Sequence, residues 1–144
     1  MADSDGTLSP SDPDAYQHWA TDTVRFSDQD AMGHVNNVAI AAYVESGRFA
    51  FDRVIAQPDA EFILVRLVID YLAEAHYPGE VRIGTRVDRI GRTSMTLGHG
   101  LFKDGVCIAT AQSVGVHLRE GRSAPIEGEF RSRLEGLTGR HEVE

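Results

Sequence analysis

At 144 residues, 42% hydrophobic and 25% charged, the chain is sized and composed for one globular domain with a real core, which excludes a disordered chain and leaves no room for two domains. A formal net charge of −8 argues against general nucleic-acid binding, which needs basic surface to neutralise phosphates. No apolar run approaches the ~20 residues of a membrane span, and the lone Cys107, unable to form an internal disulfide, suits a reduced, cytoplasmic setting.

The opening stretch MADSDGTLSPSDPDAYQHW is acidic and rich in Pro and Ser. It lacks the basic and apolar regions of a secretory signal. Pro10 and Pro13 act as breakers, so residues 1–19 read as a flexible leader. TDTVRFS (21–27) reads as a short strand with Val24 and Phe26 on one face.

A helix is expected from about Asn36 to Ala56. Its first half, VAIAAYV (38–44), is small or apolar all round, the mark of a helix buried on most sides. Glu45, Arg48 and Asp52 share one stripe along it and can pair. QPD (57–59) ends it.

Four strand-like runs follow. FILVRLVIDYL (62–72) shows an apolar face of Ile63, Val65, Leu67, Ile69 and Tyr71, with Arg66 and Asp70 opposite. EVRIGTRVDRI (80–90) alternates Val81, Ile83, Thr85 and Val87 against Arg82, Arg86 and Asp88; SMTLGHGLF (94–102) groups Met95, Leu97 and Leu101. VCIATAQSVGVHL (106–118) sets Val106, Ile108, Val114 and Val116 against Cys107, Ala109, Ala111, Ser113 and Gly115, small residues that admit another backbone closely. KDG (103–105) forms a hairpin turn, and GEFRSRLEGL (128–137) a short terminal helix. No repeat or low-complexity tract is visible.

One helix that is apolar all round, followed by one-sided strands, points to an α+β fold: an antiparallel sheet wrapped around one long central helix. Neither phosphate-loop motif is present, no G-x-x-x-x-G-K-[ST] and no G-x-G-x-x-G after a strand. The stretch RFSDQDAMGHVNN (25–37) then falls between the first strand and the N-terminus of the buried helix. Free N–H groups and the positive end of the helix dipole project there, suited to a developing oxyanion. An acid beside them can serve as general base or nucleophile toward a carbonyl. Asp28 and Asp30 are the candidates, and the alternative is that Asp30 or Asn36 merely caps the helix.

The stretch VRFSDQDAMGHVNNVAIAAYVESGR resembles the entry motif of hotdog-fold acyl-CoA thioesterases of the 4-hydroxybenzoyl-CoA thioesterase type. That motif runs as a strand, Asp-x-Asp, a Gly-His/Ile-x-Asn turn and a long helix carrying aromatic-x-Glu-x-x-Arg, which Tyr43, Glu45 and Arg48 match. The resemblance covers about residues 20–138, leaving 139–144 as a tail. It implies that Asp30 is the catalytic aspartate, attacking the thioester or activating water. It also implies that the backbone N–H at Asn37 binds the thioester oxygen. Arg92, Thr93 and Ser94, in GRTS (91–94), match the turn where relatives hold pantetheine and phosphates, and Phe26 and His34 join them as expected substrate contacts. Arg82, Arg86 and Arg89 could add charge for CoA, or be a solvated strand face. Phe26 and Asn37 stand where several relatives carry Tyr or His, so helper acids are missing.

Other constellations are weaker. His34 with Asp28 and Asp30 offers two acids and one His without a His-x-His or Glu-x-x-His partner, a poor ligand set, so no metal or cofactor is expected. His99 and His117 read as ordinary sheet residues, and Cys107 sits in mid-strand with no nucleophile elbow. Glu45 either pairs with Arg48 or serves as the helix-borne acid of some relatives. Met32 and Val35 line the approach to the site or belong to the core, and an acyl tunnel would take in Phe26, Met32 and Tyr43. The resemblance further implies a homodimer or homotetramer with sites at the subunit boundary. The expected activity is acyl-CoA hydrolysis. The alternatives are an acyl-carrier-protein thioesterase, a hotdog hydratase (disfavoured because no Asn-Pro-x-His is present) and a non-catalytic acyl-thioester binder.

Overall fold

A computed structural model describes residues 8–138; residues 1–7 and the 139–144 tail lie outside the described residues. The chain runs β1 (His18–Thr23), α1 (Asn37–Val54), β2 (Ala60–Tyr71), β3 (Glu80–Ile90), β4 (Ser94–Lys103), β5 (Val106–Arg119), β6 (Arg122–Ser123) and α2 (Gly128–Glu135). The sheet order is β1-β3-β4-β5-β2, with the short β6 added to β5, and all these strand pairs are antiparallel. β1 and β2 are the two ends of this order, so α1, which joins them, has to cross the sheet from one side to the other. This is the hotdog arrangement.

The helix is buried along one face and not all round, since Val38 and Ala42 of its apolar first half are exposed. Ala39, Ile40, Tyr43 and Val44 join Val81, Ile83, Leu101, Ala109 and Ala111 in one core cluster. Phe51 and Ile55, further along, join Val87, Met95, Leu97 and Leu134 of α2 in a second. Gly47 marks the closest approach, because a Cβ there would collide with the Ile83 side chain. The turn between β4 and β5 puts Asp104 and Gly105 both at positive φ (52° and 80°), the backbone a two-residue hairpin of this twist demands.

Several expectations need correction. The supposed leader is packed from Leu8 onward. Ala15 and Tyr16, with Leu8, Trp19 and Phe102, form a third cluster. It lies on the outer face of the sheet, where the Tyr16 ring occupies the space that side chains at Gly84 and Gly100 would fill. Arg86, read as a surface charge, is buried for the same reason: it donates to Asp88 Oδ1 (2.8 Å) and to the Leu8 carbonyl (3.0 Å). Arg82 lies over the Trp19 ring, 4.2 Å from its centre.

The first strand comes earlier than read, at His18–Thr23, and Phe26 opens a 3-10 turn instead of extending it. Val24 is buried while Phe26 is 75% exposed, so the two do not share a face. In β2 the odd-numbered apolar face is broken by a bulge between Leu64 and Arg66. One extra residue reverses the parity of a strand. Phe62 before the bulge and Leu67 and Ile69 after it pack against the core, whereas Ile63 and Val65 are 45% and 55% exposed. A second bulge, between Leu101 and Phe102 on β4 opposite Ala109 and Cys107, brings Ile108 into the same cluster as its small neighbours Ala109 and Ala111. Among the described residues no helix is long and apolar enough to cross a membrane.

Candidate active site

The connection from β1 to α1 is held by its own polar residues. Val24 N–H is bonded to the Gly79 carbonyl (2.8 Å), after which the chain makes the 3-10 turn Phe26–Asp28. Asp28 is tied into the turn. Its Oδ2 accepts from the Arg25 N–H (2.9 Å) and the Tyr43 hydroxyl (2.7 Å), and its carbonyl accepts from the Asn36 N–H (2.8 Å). Burial, reinforced by the bond to Asp28, pushes the Tyr43 hydroxyl above its ordinary pKa. The side chain of Tyr43 is wholly buried, so it pins the loop to the helix and does not line an acyl tunnel.

Asn36 takes the capping role. Its Oδ1 accepts from the Ala39 N–H (2.7 Å), and its carbonyl accepts from Ile40 N–H (3.2 Å). The N–H groups of Asn37 and Val38 have no acceptor among the described residues, and both residues are exposed. These are the unsatisfied donors of the helix N-terminus, aimed outward with the positive end of the dipole.

Asp30 is therefore released from capping α1. Its Oδ1 accepts from Met32 N–H (2.8 Å) and His34 N–H (3.0 Å), and its own N–H and carbonyl are tied to the His34 carbonyl (2.7 Å) and the Gly33 N–H (3.1 Å). Gly33 closes this turn at φ 83°. The His34 N–H bond, followed by that of Met32, outweighs desolvation and holds the Asp30 carboxyl below the usual carboxylate range. Both side-chain bonds use Oδ1, which leaves Oδ2 outside them. The result is an ionised, exposed carboxylate on a rigid turn.

Asp30, His34, Asn37 and Ile40 form one wall of a cleft of about 290 Å3, and Tyr71, Glu74 and Ile108 form another. The loop and helix mouth are thus brought together, but the other expected contacts are not. Phe26 points away and packs edge-to-face on Tyr77, 5.7 Å between centres. Met32 is exposed, whereas Val35 both belongs to the core cluster and lines the cleft. Arg92, Thr93 and Ser94 lie at the opposite end of β3 from Gly79, roughly 30 Å of strand away at the usual rise per residue. Their backbone is used locally, Thr93 O accepting from His117 N–H and Arg92 O from Ile126 N–H, each at 2.7 Å.

The pairing of Glu45 with Arg48 holds, at 3.8 Å. His99 is a buried, satisfied sheet residue, between Thr85 Oγ1 (3.1 Å) and Ser113 Oγ (2.8 Å), and burial pushes it down to about 3. His117 bonds the Ala124 carbonyl (2.9 Å) and packs between Phe62 and Phe130.

What the sequence reading missed is the pair Glu74 and His76. His34 Nε2 meets Glu74 Oε2 at 3.2 Å, and the His34 and His76 rings are edge-to-face at 5.2 Å. The signal was Glu-x-His, two potential ligands at alternate positions, in a segment more than thirty residues from His34.

Comparison with protein families matches residues 24–134 to the model of the thioesterase-like superfamily. The chain belongs to the thioesterase-like superfamily. The match spans the Asp30 turn, α1 and strands β2 to β6 into α2, with β1 outside it. Among solved structures, this thioesterase-like chain is similar to a thioesterase from Thermus thermophilus complexed with coenzyme A and Zn, at 31% identity over 83% of this chain and 98% of that one, TM-score 0.76. It is also similar to a predicted thioesterase from Bacillus stearothermophilus (29% identity, 84% and 96% covered, TM-score 0.75). A thioesterase superfamily protein from a Jannaschia species is comparable (28% identity, 89% and 87% covered, TM-score 0.76). No curated protein matches the chain.

Proposed function

We propose that this chain hydrolyses an acyl-CoA thioester to the free acid and CoA, as a thioesterase of the 4-hydroxybenzoyl-CoA thioesterase type. One observation carries the reading: Asp30, ionised and exposed, shares a cleft with Asn37 at the mouth of α1, while Asp28 and Asn36 are occupied in holding the loop. The thioester carbonyl oxygen rests on the Asn37 and Val38 N–H groups, which are preorganised for the charge that develops there. Asp30 Oδ2 either takes a proton from water, whose oxygen then attacks the carbonyl carbon, or attacks that carbon itself. In the first route the tetrahedral oxyanion collapses, the C–S bond breaks, and the CoA thiolate recovers the proton. In the second the thiolate leaves first, and water cleaves the resulting acyl-aspartyl anhydride.

CoA as the thiol is supported by the Thermus relative, which holds coenzyme A. Within one chain Arg92, Thr93 and Ser94 are too far from Asp30 to touch the same pantetheine. Their proposed role as CoA contacts requires a second copy whose turn lies beside the cleft. The exposed apolar side chains of the edge strand β2, among them Ile63, Val65, Val68 and Tyr71, support a homodimer or a tetramer of such pairs. A cytoplasmic setting is supported by the lone, partly buried thiol of Cys107, whose pKa burial raises.

The test is free-thiol release from short, long and aromatic acyl-CoAs by the protein and by Asp30→Asn. The Asn side chain still accepts from Met32 and His34, so the turn is kept while the charge is lost. Turnover should fall by about 10² to 10⁴, the range of a positioned acid–base group, with acyl-CoA binding retained. Release from no acyl-CoA would sink the reading in favour of a carrier-protein substrate or a binding role.

A further inference from the structure

We propose that His34, Glu74 and His76 form a binding site for one divalent transition-metal ion at the rim of the Asp30 cleft. Each offers a ligand atom, and the three atoms lie within 4.8 Å of one another. His34 Nε2 and Glu74 Oε2 are 3.2 Å apart, close to the ~3.3 Å that separates two ligands bound 2.0–2.1 Å from one tetrahedral ion. This pair already has the spacing of a shared metal. The third ligand atom, from His76, lies within 4.8 Å of both.

The backbone on both sides is fixed. Val35 N–H donates to the Ala75 carbonyl at 2.8 Å, and these two buried residues are the chain neighbours of all three ligands. His34 is further held by its N–H and carbonyl, both bonded to Asp30. His76 Nδ1 faces the Gly33 carbonyl at 3.4 Å. A ring nitrogen so occupied as a donor leaves Nε2 as the ligand, the second contact by which proteins orient metal-binding histidines.

The donor set selects the ion. Two imidazoles and a carboxylate, with no thiolate, suit zinc, cobalt, nickel or ferrous iron, whereas magnesium and calcium prefer oxygen throughout. Three protein ligands leave a coordination position open. Glu74 and His76 are exposed and His34 half-buried, so that position is reachable by water or a small ligand. Bound there, the ion ties the segment after β2 to the Asp30 turn.

The experiment uses the full chain without an affinity tag, stripped with a chelator, and titrated with Zn2+ by calorimetry and with Co2+ by its visible absorption. One equivalent should bind, with a dissociation constant of about 10 μM or tighter. The melting temperature should rise on loading. His76→Ala and Glu74→Gln should each weaken binding at least about tenfold, and both side chains are exposed enough for the fold to survive, as circular dichroism checks. His141→Gln should bind as the parent does. Absence of saturable binding overturns the site, as does binding that the His76 and Glu74 variants leave intact. The site stands apart from the thioesterase reading: a protein that binds zinc yet releases no thiol keeps this proposal and loses that one.

Discussion

Acidification from pH 7 to pH 5 is expected to remove about 2 kcal/mol of stability through one side chain, His99. The ring is fully buried between Thr85 Oγ1 (3.1 Å) and Ser113 Oγ (2.8 Å). Burial first, and then the nearby Arg48 charge, lower its pKa from 6.5 to about 3. In the unfolded chain it titrates at the ordinary value, so between pH 6.5 and about 3 the unfolded state holds one proton more. The stabilisation is complete above the unfolded pKa and is lost as pH falls below it, with a limiting slope of about 1.4 kcal/mol per pH unit. Integrated from pH 7 to pH 5, that slope gives the 2 kcal/mol.

Other groups titrate in or near this window. His18, lowered by burial, adds a loss of the same sign; Asp52, raised by burial, opposes it. The measurement is therefore a difference: urea denaturation of the parent and of His99→Gln at pH 7, 6, 5.5 and 5. The amide of Gln reaches for the same two hydroxyls and has no proton to gain. The variant is expected to be the less stable at pH 7, but its stability should fall by about 2 kcal/mol less on going to pH 5. Parallel stability curves for the two proteins would refute the burial argument.

Three further outcomes are expected. Asn36→Ala removes the cap on Ala39 N–H and should cost about 1 kcal/mol in chemical denaturation. Tyr43→Phe deletes the hydroxyl that donates to Asp28 and leaves a half-buried carboxylate short of a donor; a loss of about 1–3 kcal/mol is expected by the same assay. Gly100→Ala sets a Cβ 2.6 Å from the Tyr16 ring. Overpacking of this kind costs about 1–3 kcal/mol, and limited proteolysis should then cut near Tyr16 where the parent resists.

Much of the fold was legible because the strongest patterns were local. The alternation of Val81, Ile83, Thr85 and Val87 and Asp104-Gly105 at the β4–β5 turn match the structure, and the apolar half of α1 does so along the face of Ala39, Ile40, Tyr43 and Val44, with Val38 and Ala42 left exposed. The failures share a cause, which is that a single inserted residue or a distant partner decides the outcome. Alternation along β2 cannot announce the bulge beyond Leu64, because the extra residue is defined only by its partner β5. The N-terminal segment has the composition of a leader, yet Tyr16 finds a socket made by the absent side chains of Gly84 and Gly100. Nothing near Tyr16 in the chain records that socket.

The candidate site divides along the same line. Asp30 or Asn36 could have capped α1, and capping by Asp30 would have removed the proposed catalytic acid. The choice turns on the Gly33 turn at positive φ, which folds the Asp30 carboxylate back onto Met32 and His34 instead of forward onto the helix. Asn36, immediately before the first helical residue, then takes the cap. Asp28, two residues before Asp30, is drawn under the helix by Tyr43. The helix N–H groups at Asn37 and Val38 stay open because only one of three polar neighbours is used on the helix end. Spacing alone left Asp28 and Asp30 as candidates for the chemistry and Asp30 and Asn36 as candidates for the cap, and the backbone path between them separates their roles. Glu74 and His76 were out of reach of any such local reading: they meet His34 only because Val35 and Ala75 pair across the cleft floor.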